Sequence, residues 1–167
     1  MRETLYKKGE LYQSSVKRWL VSRTFLGFKV KPFGDTYDAT GTATCIGETY
    51  FDLSLALNQG NSAKQILYIE CKYRNERTRD INSEFREFVE KVFCALTQAD
   101  TDQATRAEFC FICTVPPGDW RKFLQDRNAY CTNTVQKRFM KKTSLLPDKM
   151  CERIHILVLS ERILGGV

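Results

Sequence analysis

An acidic and a basic residue stand two positions apart at the end of an apolar run in this chain. The run Ile66-Leu67-Tyr68-Ile69 is typical of a buried strand, and it continues into Glu70-Cys71-Lys72. Because alternate side chains of a strand share a face, we expect Glu70 and Lys72 to project together, away from Cys71. Burying either charge without a partner is costly, so the pair indicates a chemical role at the mouth of the core.

A second carboxylate is expected beside this pair. Asp52 lies within residues 50–57, where large apolar side chains alternate with polar or small ones as in a strand. The connector 58–64 is polar, contains glycine and is short enough to join two antiparallel neighbours. A hairpin of this kind would bring Asp52 close to Glu70 and Lys72.

Two carboxylates and a lysine are a minimal set of groups for metal-dependent hydrolysis of a phosphodiester. Converging carboxylates repel each other, which raises the pKa of one of them, and a hard divalent cation relieves that repulsion. Mg²⁺ or Mn²⁺ prefers oxygen ligands, and Mg²⁺ needs only one or two protein carboxylates and lowers the pKa of a bound water. Lys72 would then orient this water, help to deprotonate it, or neutralise the charge that builds on the phosphorane.

The elements that must position these groups follow from the periodicity of apolar residues. The sequence predicts helices over 9–24 and 83–96, a basic helical segment over 120–142 that is broken near 132–134, and strands over 28–31, 50–57, 65–72, 109–115 and 153–159. The order is α, β, β, β, α, β, α, β. We therefore predict an α/β fold with a mixed central sheet flanked by helices. One domain is expected over residues 1–167, alone or as part of a larger protein.

These residues and elements resemble the PD-(D/E)XK nuclease superfamily, which has the restriction-endonuclease-like fold. Asp52 and Glu70-Cys71-Lys72 match its motif, and the order αβββαβ, here with an extra α and β, matches its core. Gly9-Glu10-Leu11 and residues 25–30 are most similar to the branch of restriction enzymes that act on modified DNA. The resemblance implies a Mg²⁺-dependent endonuclease that cleaves DNA with a metal-activated water.

The resemblance also implies a role for each matching residue. Asp52 and Glu70 would bind the metal ion, with the backbone carbonyl of Cys71 as a further ligand. Lys72 would be the catalytic lysine. A surface ion pair at a strand end is the alternative explanation of Glu70 and Lys72, and it contributes only about 0–1 kcal/mol.

Glu10 would be the accessory acid from the first helix. Glu3 is a nearby alternative, and the favourable interaction of an acid with a helix N-terminus explains Glu10 equally well. The proline that precedes the aspartate in the name-giving motif is replaced here by Phe51, which lowers the specificity of the match. Asp38, in a turn-rich segment, is an alternative first carboxylate.

The net charge of +6 favours a polyanionic partner. We expect six basic residues to contact a nucleic-acid backbone: Arg74, Arg77, Lys137, Arg138, Lys141 and Lys142. A solvated helix face explains residues 137–142 equally well. DNA is the expected partner, but RNA or single strands remain alternatives because no base-reading motif is recognisable. A homodimer or partner domains, or a non-catalytic binding or assembly module of the same fold, are also consistent with the sequence.

Composition disfavours several other classes of function. No apolar run approaches the roughly 20 residues of a membrane helix, and the N-terminus does not resemble a secretory signal, so we expect a cytoplasmic protein. The seven cysteines are odd in number and lie mostly in apolar runs, which favours reduced, buried thiols. Cys110-Phe111-Ile112-Cys113 lies in a predicted strand, whereas a zinc knuckle needs a turn. His155, the single histidine, is expected in the core, which disfavours histidine-based chemistry.

Overall fold

The structure, a computed structural model, describes residues 2–22, 29–33, 43–44, 47–48, 51–58, 65–74, 80–99, 105–139 and 146–165. Its helices are α1 (Arg2–Ser22), α2 (Ile81–Gln98), α3 (Trp120–Gln125) and α4 (Arg127–Phe139), with a 3-10 turn at Met150–Arg153. Its strands are β1 (Lys29–Phe33), β2 (Ala43–Thr44), β3 (Gly47–Glu48), β4 (Leu53–Asn58), β5 (Gln65–Lys72), β6 (Ala107–Cys113) and β7 (Ile154–Val158).

The main sheet is mixed and has the strand order β1-β4-β5-β6-β7. The pairs β1–β4 and β4–β5 are antiparallel, whereas β5–β6 and β6–β7 are parallel. Parallel neighbours need a crossover, which α2 supplies between β5 and β6, and α3 with α4 between β6 and β7. β2 and β3 pair separately. The predicted α/β fold with a mixed, helix-flanked sheet is confirmed at this level.

One face of the sheet is covered by α1. Tyr12 and Val16, four residues apart on the helix, are fully buried in a cluster that contains Ile69 of β5 and Leu159, which follows β7. The Tyr12 hydroxyl donates a hydrogen bond to the Leu159 carbonyl at 3.0 Å, so neither polar group is buried without a partner. The other members of this cluster are Leu53, Leu55, Cys110 and Ile112.

The opposite face is covered by α2, α3 and α4, through aromatic side chains. Phe85 and Phe88 of α2 are buried against Phe111 of β6, with ring centroids 5.3 and 5.4 Å apart. Phe123 of α3 meets Phe85 edge to face at 5.4 Å. Such aromatic pairs contribute about 0.5–1.5 kcal/mol beyond their buried area. They hold α2 over the face on which Glu70 projects.

Several predicted boundaries are wrong. β4 begins at Leu53 and not at residue 50, so Asp52 directly precedes the strand. α1 begins at Arg2 and not near residue 9. Among residues 7–22 the first buried position is Tyr12, so apolar periodicity predicted only the later part of the helix. The segment 120–142 is divided at Asp126 and not near 132–134. Asp126 leaves helical geometry and its carboxylate accepts a hydrogen bond from the Ala129 amide at 2.9 Å, so it ends α3 and caps α4. β6 lies two residues earlier than predicted, at 107–113.

The cysteines of the described residues are all free thiols. Cys110 packs in the cluster under α1, whereas Cys113 packs in the cluster under α2, so the two thiols lie on opposite faces of β6 as strand alternation predicts. Within the described ranges, no helix is both long and apolar enough to cross a membrane.

Candidate active site

The structure brings Asp52, Glu70 and Lys72 together where β4 begins and β5 ends. Leu53 of β4 pairs with Ile69 of β5, which places Asp52 opposite Glu70 in the antiparallel register. The Cys71 amide donates a hydrogen bond to Asp52 Oδ2 at 2.7 Å. Gln13 of α1 donates from Nε2 to the Asp52 carbonyl at 2.9 Å, so Asp52 is held from two elements.

Glu70 is a buried carboxylate with two cations on one of its oxygens. The residue is 3% exposed. Its Oε1 lies 2.8 Å from Lys72 Nζ and 2.9 Å from Lys91 Nζ. Its Oε2 is buried and has no hydrogen-bond partner among the described residues. One side of the carboxylate is therefore saturated, and the other retains its full capacity to accept a ligand.

Lys91 is a site residue that the sequence analysis missed. It extends from α2, and its ammonium also lies 6.0 Å from the centroid of the Phe51 ring. A signal was present, because Lys91 stands three residues after Phe88 and four before Ala95, both of which are buried. A lysine at the border of an apolar helix face can extend its charged end toward a buried acid.

Electrostatics at the site oppose the ionisation of Asp52. Burial, and then the charge of Glu70, raise the pKa of Asp52, and the Cys71 amide with the nearby ammonium groups only partly offsets them. Burial alone would lower the pKa of Lys72, but the charge and hydrogen bond of Glu70, with Asp52, raise it overall. Lys72 is therefore an ammonium group in the metal-free protein.

The residues of this site fit a hard divalent cation. Glu70 Oε2 is an unpartnered carboxylate oxygen, and Glu70 and Asp52 interact electrostatically. Among the described residues, no group of three or more His, Cys, Asp and Glu side chains is arranged to hold a metal ion. Two carboxylates nevertheless suffice for Mg²⁺, which takes its other ligands from water and substrate phosphate.

Glu10 is not brought into contact with the two carboxylates. It is exposed on α1, and within the described residues no hydrogen bond or ion pair joins it to Asp52 or Glu70. It lies one helical turn before Gln13, which is the α1 residue that reaches Asp52. Gln13 has no sequence signal of its own, because its contact depends on how α1 packs.

The expected nucleic-acid contacts divide into anchored and exposed residues. The Arg74 guanidinium bonds Glu84 of α2, and its amide donates to Thr114 Oγ1 at 2.8 Å. Lys137 and Arg138 are exposed in the last turn of α4, and Arg138 Nε lies 3.7 Å from Glu90 Oε2. Four other residues named from the sequence lie outside the described residues: Asp38, Arg77, Lys141 and Lys142.

A cavity of about 290 Å³ lies at the carboxyl ends of β5, β6 and β7. Tyr73 and Arg74, which directly follow Lys72, form one wall, and Thr114, Ser160 and Arg162 contribute to the others. In open α/β sheets, ligands bind outside the carboxyl ends of parallel strands. The cavity is thus an open space beside the candidate site, with two arginines in its lining.

The prediction that His155 is a core residue is wrong. The ring is half exposed on β7, and its Nε2 lies 2.8 Å from Glu108 Oε2. Ile154 takes the buried position, and alternation then turns His155 to the other face at the edge strand. His155 and Glu108 border a cavity of about 520 Å³ with Gln65, at the start of β5 and so away from Glu70.

Comparisons with protein-family models, with curated proteins and with solved structures found no match to this chain. Its function must therefore be inferred from the side chains of the site and from what surrounds them.

Proposed function

We propose that the protein is a Mg²⁺- or Mn²⁺-dependent endonuclease of the restriction-endonuclease-like fold, in the PD-(D/E)XK superfamily, that hydrolyses DNA. One observation carries the proposal. Glu70 is buried beside Asp52 with one oxygen bound to two ammonium groups and the other oxygen without a described partner. In this arrangement Glu70 Oε2 is available to bind a metal cation.

A purely structural ion pair explains this site less well. A buried acceptor without a partner costs about 1–3 kcal/mol, and more when it is charged. A structural pair would be expected to satisfy both carboxylate oxygens, whereas Glu70 Oε2 has no described partner and a second carboxylate stands beside it. A buried acid whose pKa is raised by burial and by a neighbouring carboxylate, as for Asp52, is typical of functional sites.

The chain's own residues divide the work of hydrolysis. Asp52 and Glu70 would hold the ion, with the backbone of Cys71 alongside, and the Cys71 amide fixes the orientation of the Asp52 carboxylate. When bound, Mg²⁺ would polarise the phosphodiester and lower the pKa of a coordinated water. Because its pKa is raised, Lys72 stays protonated at neutral pH and has no free lone pair to accept a proton from the water, which favours a role in neutralising charge on the phosphorane or in orienting the water.

The order of the elements supports the proposed fold. α1, β1, β4, β5, α2 and β6 follow one another as α, β, β, β, α, β when the small β2–β3 pair is set aside. Asp52 and Glu70-Cys71-Lys72 occupy the neighbouring strand ends at which the superfamily motif would place them. The exposed basic end of α4 and the net charge of +6 support a DNA backbone as the partner.

A cytoplasmic location and a homodimer belong to the same proposal. One site of this kind cuts one strand, so two copies would be needed to cut both strands of a duplex. Glu10 remains a proposed accessory acid, one turn from Gln13 on α1.

A cleavage assay tests the proposal directly. Supercoiled plasmid and a single-stranded RNA are incubated with the protein and Mg²⁺, Mn²⁺ or EDTA, and the wild type is compared with Glu70→Gln and Asp52→Asn. We expect plasmid cleavage that requires the ion and falls on the order of 100-fold or more in either variant. Glu152→Gln, at the exposed position of the 3-10 turn, is the matched control and should cleave like the wild type.

The same assay separates the alternatives. Undiminished cleavage by Glu70→Gln would show that this carboxylate is not catalytic. RNA cleavage without plasmid cleavage would mean that the substrate is RNA and that the proposed metal-dependent hydrolysis is retained. If the wild type binds duplex with a steep dependence on salt but cuts nothing, the protein is a binding module.

A further inference from the structure

Lys91 lies outside the sequence motif, yet it contacts Glu70 as closely as Lys72 does. We propose that Lys91 is a positioning residue that holds Glu70 by Oε1, so that Oε2 alone is presented to the metal ion. This inference rests on the proposed metal-dependent hydrolysis. It adds a residue from α2 to a site that the sequence placed on α1, β4 and β5.

The two lysines reach the same oxygen from different elements. Lys72 comes from β5 itself, two residues from Glu70, whereas Lys91 comes from α2 across the face of the sheet. Both contacts, at 2.8 and 2.9 Å, have the length of charge-assisted hydrogen bonds. Turning the carboxylate out of this orientation would break both bonds at once. Oε1 is therefore fixed from two directions and Oε2 is left available.

The helix that carries Lys91 is itself held in place. Phe88, Val92 and Ala95 of α2 are buried on the face that packs against the sheet. The Lys91 side chain is about one-third exposed, so its stem runs along the border of this face while its ammonium reaches inward to Glu70. The position of Lys91 is therefore determined by the packing of α2 on the core and not by a loop, and the orientation of Glu70 follows from it.

A cation on Oε1 has two opposite effects on a metal ligand. Its charge makes the Glu70 carboxylate a weaker donor and repels a second cation, so it lowers the affinity for the metal ion. Its hydrogen bond also restricts Glu70 to one orientation, which favours turnover once the ion is bound. Removing Lys91 should therefore strengthen metal binding and slow the reaction. A merely structural lysine would not produce that pair of changes.

The test uses the full chain and measures both quantities. Mn²⁺ binding is measured by calorimetry without DNA, and kcat is measured on plasmid at saturating Mn²⁺. We expect Lys91→Met to bind Mn²⁺ about tenfold more tightly and to lose on the order of 10–100-fold in kcat. Lys91→Arg, which keeps a cation and a donor on Oε1, should stay near the wild type in both. Lys122→Met, an equal loss of charge on the exposed surface of α3, is the control.

Lys91→Gln separates the charge from the hydrogen bond and protects the test against misfolding of the Met variant. It should bind Mn²⁺ more tightly, like Lys91→Met, but retain more of the turnover.

If Lys91→Met matches Lys122→Met in both affinity and kcat, the positioning role is wrong while the proposed nuclease stands. If Lys91→Gln is folded and binds Mn²⁺ more weakly than the wild type, the positioning role is also wrong. If the wild type neither binds Mn²⁺ nor cleaves, both proposals fail.

Discussion

Asp52 is a carboxylate whose surroundings favour its neutral form. Burial and the neighbouring Glu70 raise its pKa above the usual 3.8. A group of this kind leaves stability unaffected below its unfolded-state pKa, because it is protonated in both states. As the pH rises from there through the folded-state pKa, the folded protein loses stability, because the unfolded chain releases its proton more readily. Ionised Asp52 therefore destabilises the metal-free protein at neutral pH.

Asp52→Asn should stabilise the metal-free protein at pH 7.5 by a few degrees of melting temperature, because the amide removes the ionisation and still accepts the hydrogen bond from the Cys71 amide. The gain should shrink as the pH falls toward 4. Thermal unfolding in EDTA at several pH values measures it, with Asp148→Asn, at an exposed position, as the control. A variant that is less stable than the wild type at every pH would contradict the electrostatic account of this site.

At the scale of single residues, spacing found only what lies on neighbouring strands. Glu70 and Lys72 are two residues apart on one strand, and Asp52 follows from the hairpin that joins β4 to β5. Lys91 and Gln13 act across the two faces of the sheet, where α2 and α1 dock. Periodicity places Lys91 at the border of the apolar face of α2, but the partner of either side chain depends on helix packing, which local periodicity does not encode.

At the scale of elements, Phe85 joins four parts of the fold. Its ring is fully buried, and it meets Phe111 of β6, Phe123 of α3 and Tyr130 of α4 at centroid distances of 5.3, 5.4 and 5.7 Å. The periodicity that placed this residue on the inner face of a helix predicted α2 to within two residues at each end. A break between α3 and α4 was predicted near 132–134, but its position at Asp126 was missed, because it depends on the local capping by Asp126 and not on an apolar stripe.

Phe85→Ala should reduce the free energy of unfolding by about 3–5 kcal/mol, because it removes a large buried ring and leaves a cavity where several elements meet. Urea denaturation followed by circular dichroism measures the loss. Leu124→Ala on the exposed side of α3 is the control and should change stability by less than about 1 kcal/mol. Equal losses in the two variants would mean that α2 does not pack on the sheet as described.

At the scale of the whole molecule, part of the excess positive charge is exposed at the end of α4. Lys137 and Arg138 are both exposed there, and Arg138 lies near Glu90 of α2, the residue before Lys91. A nucleic-acid backbone bound along this end of α4 would pass close to α2, whose Lys91 contacts Glu70. Charge of this kind acts on any nucleic acid through release of counterions and carries no sequence information.

The double change Lys137→Gln and Arg138→Gln should weaken duplex binding and reduce the slope of log affinity against log salt by about 1.8, which is about 0.9 for each lost phosphate contact. Fluorescence anisotropy over a series of KCl concentrations in EDTA measures the slope. The control is Arg121→Gln with Lys122→Gln, the same change of charge on exposed positions of α3. If both pairs reduce the slope equally, net charge and not the end of α4 determines binding.

The position of Glu70 in the sheet determines when the candidate site is disrupted during local unfolding. β5 is the central strand, paired with β4 on one side and β6 on the other, and it is covered by helices on both faces. Local opening of a protein begins at frayed ends and mobile loops, and a doubly paired central strand opens last. The tripeptide Glu70-Cys71-Lys72 lies at the end of β5, where the pairing with β4 stops at Ile69 and the pairing with β6 continues to Lys72. Glu70 and Lys72 therefore keep their positions only while β5 and β6 remain paired.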